Sequence, residues 1–223
     1  MATYNIFQSL PSVGPDADTQ SASLGTEFVA TSQCWITQLR WFRPFGGTED
    51  VRTGALYRVE GDGSGTLVLG PVAIPTPDPG SWGTVDVGPF RVSPGSRYRV
   101  VIFHPGGRFP AYAGYFSAGG PGASDTIRGP ITIPNSGSST AQGAYTYGNS
   151  ITYPTLTYNG GAYFSDITVT DVDPNPAPSG VPVKVHESGG FVQYHAKPKV
   201  FDGVGWVPAK LKHYTSSGWQ EIE

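Results

Sequence analysis

The sequence predicts an all-β protein. An antiparallel β-sandwich of jelly-roll character spans residues 1–170, a Pro/Gly linker spans 171–182, and three β-hairpin-like repeats span 183–223. Three observations lead there. Strand-sized segments recur between turn signals, as in sandwiches and barrels. No stretch of about 12 residues shows helical apolar spacing free of Gly or Pro. The 31 Gly and 21 Pro sit beside 12 Tyr, 11 Phe and 5 Trp, so a chain full of turns still holds the large side chains of a core.

The strands follow in order. "SLGTEFVAT" (23–31) sets Leu24, Thr26 and Phe28 on one side. "CWITQLRWF" (34–42) offers Ile36, Leu39 and Trp41 as core residues. "TGALYRVE" (53–60), "GDGSG" (61–65) and "TLVLG" (66–70) read as a hairpin by turn chemistry. "SWGTVDVGPFRV" and "GSRYRVVIFH" are the next strands. "GAYFSDITVTDV" (161–172) closes the sandwich, with Tyr163, Ser165, Ile167 and Val169 on alternate positions. Asp166 lies mid-strand there, where a charge must be paired or exposed; a structural role is expected.

The C-terminal region differs in composition. All five lysines lie between Lys184 and Lys212, whereas the nine arginines all precede residue 181. The switch falls at "DVDPNPAPSGVP", which has linker composition. Beyond it, Lys184, Lys199 and Lys212 are each followed six residues on by glycine and seven on by an aromatic: Phe191, Trp206 and Trp219. Each unit reads as strand, turn, strand. A lone hairpin is marginal in water, so three in series should pair, stack or dock on other chains. Phe191, Trp206 and Trp219 are the candidate contacts, either as a meander's own core or against a partner.

Charge and motifs narrow the function. A formal net charge of −3 leaves no footprint for nucleic acid. No apolar run of about 18 residues predicts membrane insertion. The N-terminus lacks a basic start and an apolar core, so no secretion signal is read there, and synthesis in the cytoplasm is expected. The single cysteine, Cys34, has no internal disulfide partner and reads as a small buried residue. His104, His186, His195 and His213 show no close zinc-ligand spacing, and "EGDGSG" lacks the ligands of an EF-hand. There is no G-x-S-x-G elbow, and no phosphate-cradling loop. Asp78, Asp86, Asp125 and Asp166 have no context marking a catalytic pair. The expectation is a non-enzyme without metal or cofactor.

Recognition surfaces remain. "HPGGRFPAYAGYFSAGG" (104–120) carries Phe109, Tyr112, Tyr115 and Phe116, and "GSSTAQGAYTYGNSITYP" (137–154) carries Tyr145, Tyr147 and Tyr153. Rigid aromatics on glycine-rich loops suit sugar stacking or protein contacts, or else fill the ends of the sandwich. Phe109, Tyr112, Tyr115, Tyr145 and Tyr147 are the candidate ligand-binding residues.

Several stretches in order carry a resemblance: "LGTEFVA", "ITQLRWFRP", "TGALY", "GSWGTVDVGPFRVSPGSRYRVVI", "GRFPAYAGYF" and "YFSDITV". They resemble a β-sandwich domain of unknown function found in bacterial surface and carbohydrate-associated proteins and in minor tail proteins of actinobacterial phages. Gly25 and Phe28 match its Gly-x-x-Phe strand. Arg40, Trp41 and Phe42 match its Arg-aromatic strand, and residues 53–57 its Thr-Gly-x-Leu-Trp strand, with Tyr57 in place of Trp. Residues 163–169 match its closing strand, with Phe164 and Ser165 in place of Trp and Val. The match runs from about residue 20 to 170, and the family has no established catalytic residues to carry over. "PKVFDGVGWVPA" separately resembles hairpin repeats that end many actinophage tail proteins. The resemblance implies a non-enzymatic virion protein, a phage minor tail protein at or near the tail tip. Its implied partners are a host cell-wall polysaccharide, other tail proteins and its own copies, a trimer being the symmetry expected by analogy. The alternatives are a capsid decoration protein and a carbohydrate-binding module of a cellular surface protein.

Overall fold

The computed structural model describes residues 2–136 and 142–174 in full, and beyond them the backbone of six strands between 183 and 221. Two compact units emerge, Met1–Pro174 and Asn175–Glu223. The described residues are all-β.

The first unit contains, in order, β1 (Thr3–Asn5), β2 (Ala22–Ala30), β3 (Cys34–Arg43), β4 (Arg52–Val59), β5 (Gly65–Ile74) and β6 (Ser81–Val92). Then come β7 (Arg97–His104), β8 (Thr126–Arg128), β9 (Ile131–Ile133), β10 (Ala144–Tyr147), β11 (Leu156–Thr157) and β12 (Ser165–Thr170). One sheet runs β1-β12-β3-β6. The other runs β11-β10-β2-β7-β4-β5, with β9 joining β2 beyond β10 and β8 pairing β9. All these pairings are antiparallel. The two sheets pack face to face as a sandwich.

The core lies between them. Phe28, Ile36, Leu39, Trp41, Leu56, Val100, Ile102, Ile167 and Val169 are fully or almost fully buried in one cluster. Ile36 and Leu39 are three apart, which strict alternation forbids. A bulge at Thr37 resolves it: the register with β12 steps from Gln38–Thr168 to Ile36–Val169. The β4–β5 hairpin turns where its chemistry demands. Asp62 Oδ1 accepts the Ser64 N–H at 2.9 Å, and Gly63 takes φ +84°, a left-handed conformation that favours glycine.

The outer face of the larger sheet is also covered, which alternation did not predict. Ala55, Tyr57 and Val101 pack under Ile151 and Tyr153. Glu27 is fully buried on that face, bridged to Arg97 at 2.6 Å and Arg99 at 2.8 Å, while Arg99 lies 4.7 Å over the Tyr153 ring. Beside Glu27 the edge of β2 has no paired strand, because β10 ends at Gly25 and β9 begins at Val29. The Gln142 side chain fills that gap. Its Oε1 accepts the Glu27 N–H at 3.0 Å, and its Nε2 donates to the Glu27 carbonyl at 2.6 Å. One amide thus satisfies two buried backbone groups that a strand would otherwise pair.

In the second unit, β13 (Val183–Glu187) pairs with β14 (Gly190–Tyr194), β15 (Lys199–Phe201) with β16 (Trp206–Pro208), and β17 (Lys212–Thr215) with β18 (Gly218–Glu221). Each is a separate antiparallel pair. Phe191 lies opposite His186, Trp206 opposite Phe201 and Trp219 opposite Tyr214. The side chains of Phe191, Trp206 and Trp219, and with them the expected partner contacts, lie outside the described residues, as do linker residues 175–182.

Candidate binding cleft

Three chain segments meet at one end of the sandwich. The first is the loop before β2. Asp16 N–H donates to the Phe109 carbonyl at 2.8 Å, Arg108 N–H donates to the Asp18 carbonyl at 2.7 Å, and Pro15 and Pro110 form a bridge. Its shape comes from two nested Asx turns: Asp16 Oδ1 accepts the Asp18 N–H at 2.8 Å, and Asp18 Oδ1 accepts the Gln20 N–H at 2.7 Å. The second segment is β10, which carries Tyr145 and Tyr147. The third is the turn from Tyr158 to Gly161, tied back by a two-way backbone bridge between Tyr112 and Ala162 at 3.0 Å.

Between them lies a cleft of about 380 Å³, a size that suits a small ligand. Phe109 and Tyr163 form its base, edge-to-face with ring centres 5.6 Å apart. Tyr112, Tyr147 and Tyr158 rise around it with 41%, 46% and 61% of their surface exposed, so their rings are open to a ligand. Tyr145 stands edge-on to Tyr147 at 5.4 Å. Asp16 and Asp18 supply the carboxylates. The Tyr147 hydroxyl donates to Asp18 Oδ2 at 2.6 Å, and that bond pushes the phenol up to about 12. Burial raises the Tyr163 phenol as well. Both hydroxyls therefore keep their protons at neutral pH. The cleft combines apolar ring faces, phenol hydroxyls and carboxylate acceptors.

Of the five residues expected to bind ligand, the fold brings Phe109, Tyr112, Tyr145 and Tyr147 to this cleft, although 145 and 147 come from a different loop region than 109 and 112. Tyr115 does not join them. It turns into an adjacent cleft beside Phe7 and Phe164, with its ring 5.6 Å from Tyr112. Asp16, Asp18, Tyr158 and Tyr163 were not anticipated. The signals were short: "PDADT" for the Asx turns and "YNGG" for the turn that presents Tyr158.

The other candidates have structural surroundings. Asp166 is fully buried. Its Oδ1 accepts the N–H groups of Ile6 at 2.8 Å and Ile167 at 2.7 Å, and its Oδ2 lies 3.7 Å from Arg40, whose guanidinium sits 4.5 Å over Trp82. Burial outweighs these partners and pushes the Asp166 carboxyl up to about 7. Asp86 accepts from Gln38 at 2.8 Å, and Asp125 from Asn135 at 3.0 Å. His104 is wholly buried between Trp41 and Phe109, and burial holds it neutral. Cys34 is buried, its thiol pushed up to about 12 and so unreactive. Among the described residues, no three His, Cys, Asp or Glu side chains gather as metal ligands.

A family model described as a domain of unknown function (DUF4082) matches residues 8–165. That range holds every residue of the cleft. No curated protein matches the chain.

Proposed function

The chain belongs to the DUF4082 family, and on that premise we propose that its sandwich is a non-enzymatic carbohydrate-binding module. The observation that carries this reading is the cleft itself. Half-exposed tyrosine rings stand around two carboxylates, on loops tied to a rigid sandwich. Sugar C–H faces pack on aromatic rings, and sugar hydroxyls donate to carboxylates. Recognition is favoured over acid–base catalysis because Asp18 is engaged through both oxygens and Asp16 through one, leaving the other to accept from a ligand. Asp16 Oδ1 caps Asp18, while Asp18 bonds Gln20 through one oxygen and Tyr147 through the other.

The biological setting proposed for this module is a phage virion, as a minor tail protein at or near the tail tip that holds a host cell-envelope glycan. The support is the resemblance of the C-terminal "PKVFDGVGWVPA" unit to actinophage tail repeats. Self-association, with threefold symmetry, and contacts with other tail proteins belong to the same proposal.

Two experiments test it. The purified chain is applied to an array of bacterial envelope polysaccharides, beside Tyr147→Ala and Tyr158→Ala. Binding that falls at least about tenfold in both variants is expected. Binding unchanged in both, or no binding to any polysaccharide, overturns the glycan reading. Immunogold labelling of virions then tests the setting. Label at the tail tip is expected. Label over the head makes the protein a capsid decoration, and no label moves the module to a cellular surface protein.

A further inference from the structure

The tyrosine cleft has a neighbour of opposite charge. The second cleft, also of about 380 Å³, lies between residues 6–12 and the segment carrying Tyr115 and Arg128. Tyr112 lines both clefts and forms the wall they share. Phe7, Tyr115 and Phe164 supply aromatic surface, and Arg128 is the one charged residue lining it among those described. The tyrosine cleft, by contrast, is lined by two aspartates and, among the described residues, no cation.

Arg128 is short of partners. No carboxylate of the described residues pairs with it, although the body's other buried or half-buried arginines Arg40, Arg43, Arg52, Arg97 and Arg99 each have one. Asp125, three residues before it in sequence, accepts from Asn135 instead. Arg128 Nη1 reaches only the Ile127 carbonyl, at 3.3 Å, and Nε has no acceptor although it is out of solvent. A partly buried guanidinium that lacks an anion, in a cleft with room for one, is an incomplete ion pair.

We propose that this second cleft is a subsite for an anionic group, a carboxylate or phosphate, on the same glycan whose neutral unit occupies the tyrosine cleft. The proposal rests on the carbohydrate reading above. Charge fixes the direction in which the glycan lies. An anionic unit is repelled by Asp16 and Asp18 and attracted by Arg128, so it sits on the Tyr115 side of Tyr112 and the hydroxyl-rich unit on the other.

The test uses the full chain and three probes: a hexamer of alternating glucuronic acid and neutral hexose units, the same hexamer with its carboxyls reduced to alcohols, and a glycerol-phosphate oligomer carrying neutral hexose substituents. Affinity at least about tenfold higher for an anionic probe than for the reduced hexamer is expected, with the preference lost in Arg128→Gln, retained in part in Arg128→Lys, and weakened by salt. The carboxylate and phosphate sources are told apart by which anionic probe is preferred. Equal binding of charged and reduced hexamers, or a preference that survives Arg128→Gln, overturns the subsite and leaves the carbohydrate reading intact. Independently, inorganic phosphate is titrated while the Arg128 Nε–H resonance is followed. A saturable shift with no binding of any oligomer supports the anion site and removes the glycan. No shift and no oligomer binding removes both.

Discussion

Tyr147 and Asp18, 129 positions apart in sequence, are joined by a 2.6 Å hydrogen bond between phenol and carboxylate. The bond fastens β10 to the loop before β2 and sets the width of the tyrosine cleft. Tyr147→Phe keeps the ring and removes the bond. Because the pair is exposed, the expected cost to stability is about 1 kcal/mol or less. Glycan binding should fall more than stability does, since Asp18 is then held only by the Gln20 N–H and no longer fastened to Tyr147. Thermal melts and array binding on the same sample check this, and equal loss in both would contradict it.

Gln142 stands in for a missing strand beside Glu27. Gln142→Ala leaves a buried N–H and a buried carbonyl unpaired, at about 1–3 kcal/mol for each group. Urea unfolding should show the loss as a lower midpoint with an unchanged slope. Gln142→Glu, which retains one acceptor but no donor, should recover less than half.

Asp166 and His104 respond to pH with opposite signs. The folded-state carboxyl of Asp166 is raised to about 7 from an ordinary value of 3.8. Between those values the folded protein holds a proton that the unfolded chain has released. The contribution of Asp166 to stability is therefore full below about pH 4 and is lost as pH rises through about 7. Asp166→Asn should remove that decline and leave the opposite slope of His104 below about pH 6.5. Denaturant midpoints at pH 5 and pH 8 measure it, and a decline as steep as in the parent would contradict the assignment.

His104 has neither ring nitrogen hydrogen-bonded and is held well below its ordinary 6.5 by burial and by the Arg52 charge. Below pH 6.5 the unfolded chain takes up a proton that the folded one does not. Its contribution is therefore present above about 6.5 and lost as pH falls. His104→Phe keeps a ring edge-on to Trp41 and Phe109 and should remove this acid sensitivity. In the parent the two groups offset each other between about pH 4 and 6.5, so each single variant should unmask the slope of the other. Two variants with the same slope would contradict both assignments.

Leu39 and Ile167 face each other across β3 and β12 at the centre of the core, both fully buried. Leu39→Ala or Ile167→Ala should cost about 2–5 kcal/mol through lost burial and the cavity left behind. Calorimetry of each variant, compared with an exposed control such as Leu10→Ala that should change stability by less than about 0.5 kcal/mol, checks the scale.

The sequence by itself determined the class of fold and much of the core. β-branched and aromatic segments between glycine turns leave a sandwich as the way to bury one face of each strand. The placing of Leu24, Phe28, Leu39, Trp41 and Ile167 inside follows from that local periodicity, whereas Ile36 joins them only through the bulge at Thr37. The aromatic loops were legible too, because tyrosine beside glycine is a local feature of "AYAGYF" and "GAYTYG". Only the tertiary structure decided which of those rings share a cleft. Tyr112 lines both clefts while Tyr115, three residues on, lines only the second, whereas Tyr147 and Asp18 are far apart in sequence and touch. The burial of Asp166 and Glu27 was equally hidden, since each is joined by a segment distant in sequence: Ile6 bonds to the one and Gln142 to the other. Periodicity reports which face of a strand is apolar. What covers that face, and which loops converge at its end, is settled by long-range pairing.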